Sequence, residues 1–341
     1  MSKKWIYWYE ELGSEHNDLV GKKCANLGEM RRLGLRVPPG FAISVDGYER
    51  FMEESGAGEQ IRKYVRDNKH HLHEVGKQVE ASRTIRAMIE TNPMPEAMQQ
   101  ELYDNYSKLC ETVGIEGVAV AVRSSGAVSM PGQMETYLNV KGRRDLTQNV
   151  IKVWGSAFTT RAIAFRLEKA MEMEKAPIGV AVLKMVNAKS AGVCLTVLPI
   201  TGDTSKIVIE GNWGLGESVV SGEITPDQFI VDKESSQYQC TIGDKTKMVC
   251  YTPTGTRLVE VPEDLRRKAC LEEAEFREIA RISKEVEAHF QVPQDLEWVV
   301  DTDLPFPKNL FWVQARPAKY SKPKHDDAEY LAELMSRIFK M

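Results

Sequence analysis

The sequence predicts an α+β protein with a helical first half and a sheet-rich second half. Three observations predict it. Residues 44–114 are polar with helical spacing of their apolar side chains. From Ile178 the chain breaks into short β-rich runs separated by Gly, Asn, Asp and Pro, and those runs follow one another without repeating βαβ units, which argues for a mixed or antiparallel sheet. At 341 residues the chain suits two or three subdomains, each able to bury a core. The formal net charge of -4 points to neither nucleic acid nor an anionic membrane as a partner. The six cysteines form no CxxC pair, MSKKWIYWYEELG lacks the apolar core of a signal peptide, and no apolar run is long enough to span a bilayer. A cytoplasmic location is expected.

In chain order, Trp5, Tyr7, Trp8 and Tyr9 predict an edge strand or a lid over the helix that follows. In VGKKCANLGEMRRLGLRVPPGFAIS, Leu27, Met30 and Leu33 mark one face of a helix ended by Gly34 and the Pro38-Pro39-Gly40 turn. Lys22 and Lys23 stand near its start, where the helix dipole favours anions. They read either as solvated surface lysines or as partners of the helix N-terminus in holding an anion. Helical spacing continues over Ser44–Ser55 and over Glu96–Val113, the latter through Met98, Leu102, Tyr106, Leu109 and Val113. Between them KHHLHEVGK gathers His70, His71 and His73, but no Cys or carboxylate completes a metal set at usable spacing, so a surface cluster is expected.

The stretch from Glu116 to Val140 organises the chain. Val118–Val122 predicts a buried strand that delivers Arg123 into a loop of small residues, and a second strand begins at Thr136. From Ser124 to Gly132 the loop has three serines, two glycines, one alanine and one proline, so donors are many and bulk is slight. Beside a fixed cation such a loop closes over phosphates, and it equally suits an ordinary surface hairpin.

Leu146, Val150, Val153 and Ala157 mark an amphipathic helix expected to continue through TTRAIAFRLEKA until Pro177. IGVAVLKMV, GVCLTVLPI, KIVIEG, DQFIVD and YQCTIG then predict strands. GNWGLGESVVSGEITPDQ lacks the GxGxxG spacing, which excludes a dinucleotide fingerprint. Pro262–Phe290 predicts one long charged helix with Leu265, Ala269, Phe276, Ile279, Ile282, Val286 and Phe290 as its apolar stripe. DLEWVVD (295–301) and NLFWVQARP (309–317) predict strands on which Glu297, and on its partner Gln314 and Arg316, project to one face. Two oxygens there suit Mg²⁺ and the guanidinium suits the phosphates that the metal bridges; a cross-strand salt bridge at a sheet edge is the other reading. KYSKPKHDD predicts a linker, and DAEYLAELMSRIF a short terminal amphipathic helix.

VGKKCANLGEM, VAVRSSGAVSMPGQMETYLNV, GNWGLGESVVSGEITPDQF, DLEW and QARP resemble, in order and spacing, one known domain. It is the N-terminal ATP-binding domain shared by phosphoenolpyruvate synthase, pyruvate phosphate dikinase and rifampicin phosphotransferase, and the resemblance covers roughly residues 15–320. It implies an ATP-grasp fold, with an N-terminal subdomain over 1–177, a C-terminal subdomain over 178–320, and a linker and helix over 321–341. It also implies the cofactors ATP and Mg²⁺. Lys23, in VGKK at the family's VGGK positions, and Arg123 would hold phosphates. The loop from Ser124 would cover them, with Thr136 close by. Val182–Val186 would read the adenine edge through its backbone, Lys184 and Val186 among the contacts, and Glu217 would lie by the ribose. Glu297 and Gln314 would take Mg²⁺, and Arg316 the transferring phosphates, so that Lys23, Arg123 and Arg316 form the implied catalytic set.

Three departures from the family stand out: Lys22 in place of the second glycine of VGGK, Leu183 where relatives often have glutamine, and an SMPG loop of the dikinase type. The family passes phosphate through a histidine on a swivelling domain, and none of His16, His70, His71, His73, His289 and His325 has the Gly-rich, Ser-His context of that domain. The resemblance therefore implies the ATP-binding subunit of a split phosphotransferase. A partner subunit would carry the phosphohistidine and the acceptor site, and AMP and phosphate would form. The arrangement is similar to the ATP-binding subunit of phenylphosphate synthase, which implies phenol as acceptor. A pyruvate-type acceptor, or an ATP-sensing subunit without turnover, are the other readings.

Overall fold

A computed structural model of the protein describes residues 3–128, 134–220, 224–252 and 255–320. The chain divides into two units that are not contiguous in sequence. The first comprises residues up to Asn187 with Cys250–Arg257 and Phe311–Gln314; the second comprises Ala188–Val249, Leu258–Leu310 and the residues after Gln314.

The first unit holds a sheet of β1 (Ile6–Trp8), β2 (Gly40–Ile43), β3 (Val120–Ser125), β4 (Thr136–Val140) and β5 (Gly179–Lys184), in the order β1-β2-β5-β3-β4 with every pairing antiparallel. The aromatic N-terminal stretch is thus an edge strand. Its helices are α1 (Asn17–Arg32), α2 (Val45–Glu54), α3 (Ala57–Asn68), α4 (Val75–Glu90), α5 (Glu96–Val113), α6 (Gly142–Ser156) and α7 (Thr160–Glu168). In α5, Met98, Leu102, Tyr106 and Leu109 recur at helical spacing and are buried, and Gly114, at φ +73°, ends the helix by donating to the Cys110 carbonyl at 2.8 Å. Leu33, expected on the apolar face of α1, lies past the helix end and is 39% exposed. In the core Trp154 meets Phe51 with ring centroids 4.9 Å apart, packed among the buried side chains of α4, α5 and α6.

Two sequence expectations are corrected in this unit. The helix expected to run on into TTRAIAFRLEKA stops at Ser156, because Thr159 turns out of helical geometry and its hydroxyl caps α7 by accepting from Ala162 N at 3.2 Å. The strand expected to end before Arg123 continues to Ser125, so Ser124 and Ser125 are buried sheet residues and not loop donors. The subdomain boundary expected after residue 177 also differs from the observed division: β5 pairs with β2 and β3 in the first unit, and the chain leaves it after Asn187.

The second unit is built on β6 (Ala188–Leu195), β7 (Lys206–Trp213), β8 (Asp227–Asp232), β9 (Tyr238–Thr241), β12 (Gln294–Asp301) and β13 (Leu310–Pro317), in the order β13-β12-β6-β7-β8-β9. The pairings from β12 to β9 are antiparallel, as the run of strands without βαβ repeats predicts. The short α8 (Glu217–Val220) follows β7, and a two-stranded ribbon of β10 (Lys247–Thr252) and β11 (Gly255–Glu260) lies between β9 and the helices that follow. Those helices are α9 (Glu263–Arg266) and α10 (Glu273–Phe290), not the single helix expected over Pro262–Phe290. The break has a tertiary cause. Cys270 N donates to Asp227 Oδ2 at 2.7 Å, Cys270 and Leu271 are buried, and the Glu272–Glu275 capping box starts a fresh helix. Phe276, Ile279, Ile282 and Val286 of α10 pack on β6, β7 and β12. Among the described residues no helix is long and apolar enough to cross a membrane. The expected linker and terminal helix over 321–341 lie outside the described residues.

Candidate functional site

The start of α1 is shaped by Gly21, whose φ of +77° breaks the helix. Beyond it, Lys22 N donates to Gly126 O at 3.0 Å and Cys24 N to Ser125 Oγ at 3.1 Å. The turn bearing half-buried Lys23 is therefore fastened to the end of β3, two residues beyond Arg123. Two of its amides are already satisfied by protein, so the charge of Lys23, and not those amides, is what this turn offers an anion. Beneath it, burial pushes the Cys24 thiol up to about 12, against the pull of the Ser125 hydrogen bond and the Lys23 and Arg123 charges. Cys24 is thus a neutral floor residue and not a nucleophile.

Arg123 stands opposite Thr136 on β4 and Ala181 on β5. Its guanidinium donates from Nη1 to Val313 O at 3.1 Å and from Nη2 to Gln314 Oε1 at 3.2 Å. The first unit thus brings together Lys23, Arg123, Thr136 and Gln314. Thr136 is exposed, Arg123 half-buried and Gln314 buried. Residues 129–133 of the loop expected to cover phosphates lie outside the described residues.

The strand expected to read adenine ends with its backbone partly engaged. Lys184 N donates to Pro39 O at 2.8 Å, Met185 N to Ala119 O at 2.9 Å, and the Tyr251 hydroxyl to Val186 O. These two amides are not available to a ligand while the pairings hold. Leu183, at the position where relatives often carry glutamine, is buried and fills the core.

In the second unit Glu297 is half-buried on β12. Asp295 lies two residues before it and therefore on the same face. Arg316 donates from Nε and Nη2 to Asp295 Oδ2, both at 2.8 Å. Burial holds the Asp295 carboxyl above its ordinary range, Arg316 opposes this, and the Glu297 charge adds to the rise. Sequence reasoning missed Asp295, although the period-two spacing of carboxylates in DLE was the available signal. Arg316 therefore pairs with Asp295, a partner that the sequence reading did not name, while Glu297 stands on the same face. Glu217 is exposed at the start of α8. Ahead of it Gly214 sits at φ +72°, where a Cβ would come within 2.3 Å of Val249 O.

Among the described residues no group of three or more His, Cys, Asp or Glu has the geometry to hold a metal ion. The exposed His70, His71 and His73 include an ordinary contact of His71 with Glu74 at 3.3 Å. Glu297 in the second unit and Gln314 in the first each carry a hard oxygen donor, the kind that Mg²⁺ selects.

Residues 17–335 match the family described as pyruvate phosphate dikinase, AMP/ATP-binding domain. Phosphoenolpyruvate synthase of Aeropyrum pernix is 38% identical, across 96% of this chain and 44% of its own length. Probable phosphoenolpyruvate synthase of Methanocaldococcus jannaschii is 37% identical, across 96% of this chain and 28% of its own length. Phosphoenolpyruvate synthase of Pyrococcus furiosus is 34% identical, across 93% of this chain and 44% of its own length. The chain spans less than half the length of these relatives.

Proposed function

The chain belongs to the pyruvate phosphate dikinase AMP/ATP-binding domain family, and from that premise we propose that it is the MgATP-binding part of an AMP-forming phosphotransferase with an ATP-grasp fold. The observation that carries this reading is the assembly of Arg123, Thr136, Gln314 and the anchored Lys23 turn in one unit. In it a guanidinium held by two acceptors, a lysine on an anchored turn and an oxygen ligand accompany an exposed residue with a hydroxyl, which suits a polyphosphate better than any neutral substrate.

Arg123 exchanges its Val313 and Gln314 acceptors for phosphate oxygens, for which its planar fork is well matched. Lys23 adds a point charge from the helix start. Thr136 lies against the phosphates, Lys184 to Val186 line the adenine, Glu217 approaches the ribose, and Arg316 holds the transferring phosphates. Glu297 and Gln314 would hold Mg²⁺, which would supply positive charge to offset that of the polyphosphate. A histidine nitrogen supplied by a partner domain or subunit attacks the β-phosphorus. Its bond to the oxygen bridging from the α-phosphorus breaks, and AMP leaves. Hydrolysis of the pyrophosphohistidine then releases the γ-phosphate as inorganic phosphate.

The relatives named above are phosphoenolpyruvate synthases, which favours a pyruvate-type acceptor over the phenol expected from the sequence. The test is to incubate the chain with MgATP and a phosphohistidine partner, with pyruvate or phenol, and to assay nucleotides and phosphorylated acceptor. AMP with phosphoenolpyruvate is expected. Formation of ADP alone would sink the mechanism, and AMP formed only with phenol would restore that acceptor. Arg123→Ala and Glu297→Ala are each expected to abolish partner phosphorylation. Full partner activity with either variant and a non-hydrolysable ATP analogue would instead indicate an ATP sensor.

A further inference from the structure

We propose that Ser125, seated against Gly21, is a positioning residue for phosphate binding: it caps the helix that carries Lys23 and so fixes that ammonium relative to Arg123. The inference rests on the nucleotide-binding reading above and names a residue which that reading does not use.

Helix starts are ordinarily capped by a Ser, Thr, Asp or Asn immediately before the first turn. Here the helix resumes after Gly21, which has no side chain to offer, and the oxygen comes from 101 residues away as Ser125 Oγ accepts from Cys24 N at 3.1 Å. Ser125 is fully buried and is held at the end of β3 by its pairing with Gly179. The Val20–Gly21 turn sits tightly on that very pair. A Cβ on Gly21 would fall 2.0 Å from Ser125 O and 2.6 Å from Ser125 Oγ, and a Cβ on Gly179 would fall 2.4 Å from Val20 O. Lys22 N adds a second tie, to Gly126 O at 3.0 Å. The sheet strand that carries Arg123 therefore also dictates where Lys23 begins, and the backbone segments bearing the two cations are held as one piece. A polyphosphate rewards that arrangement because its charges lie at fixed spacing and the backbone that carries both cations need not be ordered on binding.

The test compares MgATP with adenosine, which lacks phosphates, by calorimetry on the whole chain. Ser125→Ala is expected to weaken MgATP about tenfold and leave adenosine unchanged, while Ser125→Thr, which keeps the acceptor oxygen, retains most of the MgATP affinity. Should Ser125→Ala not fold, Lys22→Pro compared with Lys22→Ala isolates the neighbouring amide, since both lose the Lys22 charge and the position tolerates proline; the proline variant is expected to bind MgATP about threefold more weakly than the alanine variant, with adenosine unchanged. Equal loss of both ligands, or no loss of MgATP, overturns the positioning role while leaving the nucleotide reading intact. A wild-type chain that binds neither ligand overturns both.

Discussion

Asp227 and Lys245 show how much one residue pair can hold in the second unit. Both side chains are fully buried, and Asp227 accepts from Lys245 Nζ at 2.6 Å, Gly243 N at 2.9 Å and Cys270 N at 2.7 Å. Removing one partner leaves the other charge buried and uncompensated. Asp227→Ala is therefore expected to destabilise the protein by about 3–5 kcal/mol in urea unfolding, and Asp227→Leu with Lys245→Met together by less than either alone. A single-variant loss below about 1 kcal/mol, the size of an exposed pair, would refute this. Glu135 makes a complementary case for pH. Burial raises its pKa, but hydrogen bonds from Arg86 and Tyr137 outweigh that and hold the carboxyl below its ordinary 4.5. The folded state thus binds this proton less tightly than the unfolded chain. Its stabilisation is present above pH 4.5 and is lost as pH falls from there through the lower folded value. Unfolding midpoints of wild type and Glu135→Gln should accordingly converge as pH drops below 4.5, and parallel curves would show that the carboxylate contributes nothing.

Elements were legible where their signal is local and illegible where a distant residue decides. The α5 helix has the expected bounds of Glu96–Val113, and β12 and β13 each fall within one residue of expectation, because apolar periodicity and bounding Pro and Gly are written in the segment itself. The gap before α10 is not, since it depends on Asp227 reaching Cys270 from another strand. The ribbon of β10 and β11 escaped because β11 is largely exposed and carries little of the alternation that marks a half-buried strand. In the candidate site, Arg123 and Gln314 were legible as residue types in motifs, but their direct hydrogen bond and the part played by Ser125 were not. Thr159 provides an element-scale measurement. Its side chain caps α7 just where the α6 helix stops, so Thr159→Ala should cost about 1 kcal/mol with the slope of denaturant unfolding unchanged. A stabilising effect would mean that α6 and α7 fuse once the cap is gone.

At the scale of the whole molecule, the sequence showed β5 to be a strand but not which sheet it joins, because strand propensity carries no partner identity. That is why a contiguous division after residue 177 differs from the observed units. The later chain completes the first unit twice. Asn139 Nδ2 donates to Thr252 O at 2.6 Å and to Gly255 O at 2.8 Å, and the Tyr251 hydroxyl donates to Val186 O. Trp312 N donates to Arg36 O at 2.9 Å, and Arg123 reaches Val313 and Gln314. A fragment ending at Asn187 keeps the five strands but loses both inserts, leaving the buried Asn139 amide and the Arg123 guanidinium without these acceptors. Each lost buried bond costs about 1–3 kcal/mol, which is large against the roughly 5–15 kcal/mol of an ordinary domain. Residues 1–187 alone should therefore unfold at lower urea than the full chain, with a broader transition, and should regain stability when residues 188–341 are supplied in trans. If the isolated fragment matches the intact protein, the inserts are ornaments on a self-sufficient unit, and Gln314 is then dispensable for the fold that presents Arg123.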